Sequence, residues 1–232
     1  MLPIYVSYDS GMDQLERRAI TDGMIDAMRA FESKHNVMMY GVDRWSEHAL
    51  GSADWCVMSC RSVYRVEGKR TQQDALHLID LLFNNTRNDP KPHINVLFTS
   101  HDLTMRDENG DWVDYVLEMF DGQNYVCSLA QFRHIADDCD RKLAIQAIVA
   151  HGLGHAFGMT YGLGRAFRTA ENGAACVNCG CAMQNSVLPV AWVRIAHELR
   201  HSERVFCSEC ISRAQENERK LENLTIREEI WN

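Results

Sequence analysis

Five of the chain's nine cysteines, Cys176, Cys179, Cys181, Cys207 and Cys210, fall between residues 176 and 210, and no other feature restricts the possible folds as strongly. The N-terminal MLPIYVSYDSGMDQLERR reaches Asp9 and Asp13 before a basic start or an apolar run can form, so no secretion signal is expected. The expected setting is the reducing cytoplasm, where such a cluster reads as a metal site rather than a disulfide framework. Cys56, Cys60, Cys127 and Cys139 are scattered and are expected to be buried small hydrophobes.

A metal site of this kind sits beside a core, and 232 residues with 46% hydrophobic content can fill one. Only four prolines are present and no linker composition breaks the chain, so a single continuous domain is expected. The 24 basic and 32 acidic residues give a net charge of -8, which argues against phosphate-backbone binding as the main task. Neither nucleic acid nor a membrane is an expected partner, since no apolar run is long enough to span a bilayer.

Hydrophobic spacing orders the elements. Residues 2–9 read as a strand and 12–32 as an amphipathic helix, with a second strand over 36–42 and a second helix over 71–84. A buried strand covers 93–102, and two short strands, 115–119 and 124–129, form an antiparallel pair at a sheet edge. A long helix, capped by Asp138 or Asp140, runs to Gly158, and a last helical region begins at Ser208. The order βαβαβββα with one mixed, mostly parallel sheet gives an α/β sandwich.

On that long helix stands HGLGHAFG. Residues i and i+4 share a helix face, so His151 and His155 can present both imidazoles to one ion, the spacing zinc proteases use. Taken alone, the pair is more often the mark of two ordinary histidines. Gly152 and Gly154 each cost a helix interior about 1 kcal/mol relative to alanine, so packing or a site must justify them.

Together these segments make the chain resemble the archaemetzincins, metzincin-type zinc metallopeptidases with the pattern HExxHxxGxxH, then C-x4-C-x-M, then C-x2-C. His151, His155 and Gly158 fit the first part, Cys176 and Cys181 the second with Met183 two beyond, and Cys207 and Cys210 the third. RTQQDALHLIDLL, NVLFTSHDL and YVCSLAQFR are similar to further stretches of that family. The resemblance covers most of residues 1–212 and implies a metzincin-like domain there, followed by a charged helical tail, 213–232. It implies a structural zinc on Cys176, Cys181, Cys207 and Cys210, for which Cys179 could substitute as a ligand. It also implies a second zinc at the histidine pair and a Met-turn at Met183.

Departures from the family pattern decide the function. Gly152 stands where the family has the glutamate that moves the proton of the zinc-bound water. Tyr161 stands where it has the third histidine, and residues 162–175 are inserted before the first cysteine. The leading expectation is a degenerate zinc protein without conventional peptidase activity. The alternatives are an active metallopeptidase, with Tyr161 as third ligand and Glu171, Glu198 or Glu203 as a relocated base, and a zinc-stabilised protein-interaction module. A peptide or protein segment, if bound, is expected to add as a strand near Tyr125 to Gln131.

Overall fold

Alternation along two buried strands sets the layers. In the computed structural model, which describes residues 3–31, 37–40, 52–65, 70–86, 93–121, 124–159, 176, 178–184 and 186–217, every residue of Asn124–Ser128 is buried. Tyr125 and Cys127 face one side of the sheet, together with Val96 and Phe98, while Val126 and Leu97 face the other. Successive side chains on a strand point to opposite faces, so one strand serves two cores.

The elements run β1 (Ile4–Tyr8), α1 (Gln14–Phe31), β2 (Val37–Tyr40), α2 (Ala53–Ser59), β3 (Ser62–Arg65), β4 (Arg70–Asp74) and α3 (Ala75–Thr86). Next come β5 (Ile94–Thr99), β6 (Leu103–Thr104), β7 (Glu118–Phe120), β8 (Asn124–Ser128), a 3-10 turn (Ala130–His134), α4 (Asp138–Ala156) and α5 (Pro189–Ser202). A further helix, α6, occupies 208–217. The main sheet has five strands in the order β2-β1-β5-β8-β7; its first four are parallel, and β7 runs antiparallel to β8 at the edge. A smaller sheet of three strands, β3-β4-β6, lies apart from it. The fold is therefore α/β as the hydrophobic spacing predicts, but its strands form two mixed sheets where one was expected.

Helices α1 and α4 pack on each other over one face of the main sheet, and α5 packs on α4 by burying Trp192, Ile195 and Ala196. The opposite face carries α3, with Leu78, Ile79 and Leu82 buried against Leu97 and Val126. A reciprocal capping box opens α1: Glu16 N–H donates to Asp13 at 2.8 Å and Asp13 N–H donates to Glu16 at 2.8 Å. Arg133 from the 3-10 turn then grips the buried Glu16 carboxylate with Nε at 2.7 Å and Nη2 at 2.8 Å, tying α1 to the segment that leads into α4.

Several expectations need correction. Residues 70–74 are a strand rather than the start of a helix, because the amides of Gln72 and Gln73 find partners in the small sheet. The helix expected from 71 begins at Ala75. Helices α2 and α5 have no counterpart in the expected order. Asp137, not Asp138 or Asp140, caps α4, accepting from Asp140 N–H at 2.9 Å. The helix does stop at Gly158, whose φ of +79° is left-handed. Cys56, Cys60 and Cys127 are buried, but Cys139 is exposed in the first turn of α4. Strand β8 pairs on both sides, so β7 and not Tyr125–Gln131 forms the sheet edge. Among the described residues no helix is long and apolar enough to cross a membrane. Tyr161, Glu171, the inserted residues 162–175 and the tail beyond 217 lie outside the described residues.

Candidate metal centres

Four thiols converge beside α4. Cys176 and Cys207 bring their sulfurs to 3.6 Å, Cys181 and Cys210 theirs to 3.8 Å, and all four lie within 4.8 Å of one another. A disulfide would need about 2.05 Å. A tetrahedral zinc with Zn–S of about 2.3 Å has sulfur–sulfur edges of about 3.8 Å, which these distances match. The fit is to a closed metal site, and Cys179 is exposed outside it. Backbone and side-chain donors already serve the sulfurs: Cys207 N–H donates to Cys181 Sγ at 3.3 Å, and Asn178 Nδ2 donates to Cys207 Sγ at 3.4 Å. The hydrogen bond shared with Cys210 holds the Cys181 thiol down at about 5, and burial pushes Cys176 up to about 11. Four thiolates together would need a cation to offset their repulsion.

The residues after Cys181 lead directly to the second centre. Ala182 carbonyl accepts from His151 Nδ1 at 2.9 Å, and Met183, almost wholly buried, runs beneath α4. A Cβ on Gly154 would lie 2.2 Å from Met183 Sδ, so that glycine exists to admit the methionine. Gly152 has an equally specific neighbour, since a Cβ there would lie 2.4 Å from Tyr125 Cε1. The ring of Tyr125 fills the space a side chain at 152 would enter. Both helix glycines are thereby accounted for by close approach.

His151 is buried and His155 half-buried, and their Nε2 atoms meet at 2.8 Å. The carboxylate that joins them is Glu118, whose Oε1 is 3.0 Å from His151 Nε2. Register explains its presence. Glu118 stands opposite Cys127 and Phe120 opposite Tyr125, so both share the face toward α4, while Met119 turns to the other core. Tyr125 hydroxyl donates to the second oxygen of Glu118. Phe120 stacks on the His155 ring at 5.3 Å, and Trp192 meets His151 edge-on at 5.2 Å.

Burial works against the charge of Glu118, but the His151 charge and hydrogen bond, His155 and the Tyr125 hydroxyl outweigh it and hold the carboxyl down at about 2. Burial favours the neutral ring of His151, whereas Glu118 and the Ala182 carbonyl raise it above its ordinary value. Glu118, His151 and His155 present ligand atoms that all lie within 4.8 Å of one another.

Of the residues expected at a site, the structure brings together the four cysteines in one centre and the two histidines in the other. Glu198 is engaged elsewhere, by Arg194 and by Gln184 at 3.2 Å, and Glu203 is the left-handed cap of α5. The sequence reading missed Glu118. Its signal was a single carboxylate within the apolar run VLEMF, on the parity that faces the helix. Comparisons with protein-family models, with curated proteins and with solved structures return no match to this chain.

Proposed function

We propose that the chain is an archaemetzincin-like zinc protein with a structural zinc on Cys176, Cys181, Cys207 and Cys210, and that it is not a peptidase of the usual mechanism. The observation that carries this reading is the Tyr125 ring lying where a side chain at residue 152 would begin. A glutamate at that position would have to displace a buried aromatic ring, so the general base is both missing from the sequence and sterically displaced by its neighbour. The thiolate geometry supports the zinc assignment, and Met183 under Gly154 supports a Met-turn beneath the histidine helix.

Glycine can neither accept nor return a proton, and a positioned base contributes ~10²–10⁴-fold to such reactions. Cleavage by the usual route is therefore absent or very slow. A peptide or protein segment that binds as an added strand would meet the edge strand β7 rather than β8. The test is elemental mass spectrometry on the purified full chain, combined with incubation on an unbiased peptide mixture. Zinc in the wild type that falls by one per chain in Cys207→Ser, with no new peptide termini, is the expected result. Zinc-dependent cleavage by the wild type would reject it.

A further inference from the structure

We propose that Glu118, supplied by the sheet edge and not by the histidine helix, is the third protein ligand of a divalent first-row metal, zinc by its donor set, shared with His151 and His155. This deepens the zinc-protein reading and rests on it. A carbonyl oxygen can only accept, so the 2.9 Å contact with Ala182 makes His151 Nδ1 the donor and leaves Nε2 of the neutral ring as a lone pair. That lone pair faces a carboxylate oxygen at 3.0 Å and a second ring nitrogen at 2.8 Å. His155 can carry its proton on Nε2 and donate to that lone pair, but the carboxylate oxygen and the His151 lone pair still face each other at 3.0 Å and need a cation between them.

The cation is either a proton or a metal ion, and the surroundings favour the metal. Ligand bonds of about 2.0–2.1 Å with angles between 90° and 109° give ligand–ligand edges of about 2.8–3.4 Å, which includes both measured separations. Two histidines from one helix and a carboxylate from the sheet edge form a set that zinc, iron and their neighbours accept. The ligands are also held from outside as metal ligands are: Ala182 fixes the tautomer of His151, and Tyr125 hydroxyl occupies one Glu118 oxygen and leaves the other for the ion. Gly152 completes the arrangement, because any side chain there would push Tyr125 off Glu118. The missing glutamate of the helix and the extra glutamate of the strand are two parts of one rearrangement.

The test is a zinc titration of the full chain against a chromophoric chelator, with elemental analysis at each endpoint. The wild type is expected to bind two zinc ions. Glu118→Gln, close in shape, is expected to keep the first at wild-type affinity and weaken the second at least ~100-fold, and Tyr125→Phe to weaken it ~10-fold, in keeping with the loss of a ligand and of its outer partner. Cobalt offered to the second site should add absorption without thiolate-to-metal charge transfer. One zinc only in the wild type would overturn the proposal, and imidazole nitrogen NMR would then show which of His151 and His155 carries the proton that takes the metal's place. A second zinc unaffected by both substitutions would overturn it as well. Failure of the underlying zinc-protein reading has a separate signature: Cys207→Ser would leave the zinc content unchanged, or the wild type would cleave peptides.

Discussion

Tyr125 and Gly152 are complementary surfaces: the ring edge approaches so closely that a methyl group on the glycine would stand 2.4 Å from Tyr125 Cε1. Gly152→Ala ought to gain about 1 kcal/mol from helix propensity, yet overpacking of a buried site costs about 1–3 kcal/mol. Net destabilisation is expected in urea melts. In a Tyr125→Leu background the penalty should shrink, giving a coupling of at least about 1 kcal/mol in a double-mutant cycle. Additive effects would mean that the ring does not set the identity of residue 152. Gly152→Glu is expected to confer no peptide hydrolysis.

Cysteines 207 and 179 should behave as opposites. Cys207→Ser removes a thiolate from the converging group and is expected to cost more than about 4 kcal/mol and to release zinc. Cys179→Ser, exposed and outside the group, should stay within about 0.5 kcal/mol of the wild type. Thermal melts with zinc content measured in parallel check both, and a large loss at Cys179 would reassign the ligands.

Helix α1 depends on Arg133. Its substitution by alanine leaves the Glu16 carboxylate, fully buried, with only the Asp13 N–H as a partner among the described residues. Because the arginine side chain is 39% exposed, the cost is set below that of a wholly buried pair, at about 2 kcal/mol. Arg133→Lys should recover only part of it, since lysine lacks the two-pronged geometry. Chemical denaturation of both variants supplies the comparison.

Asp137→Ala should weaken the helix that carries the histidines by about 1 kcal/mol through loss of its N-cap. Amide hydrogen exchange in the first turn of α4 is the sensitive readout, and unchanged protection there would contradict the cap.

The layers of the fold were legible because Val96, Phe98, Tyr125 and Cys127 alternate against Leu97 and Val126, and the long α4 helix because its cap region and Gly158 bracket an apolar run. What escaped did so for physical reasons. Strand β4 is RTQQD, whose buried glutamines are stabilised by specific amide hydrogen bonds that apolar spacing cannot register. Helix α5 opens at Leu188 without a side-chain cap, so its start carries only the Pro189 signal. The cysteine centre was readable as pairs along the chain. Glu118 was not, because its meeting with His151 depends on the register of β7 against β8 and on a tyrosine held across a glycine, neither of which local sequence states.

Three consecutive residues serve both centres: Cys181 binds with the thiols, Ala182 holds the His151 ring, and Met183 seats against Gly154. The histidine pocket thus shares its backbone with the thiol cluster, so a disturbance at the sulfurs reaches the rings through a single peptide unit. Cys207→Ser is therefore expected to weaken amide exchange protection around residues 181–183 as well as at the thiols, and unchanged amide protection there would contradict the coupling.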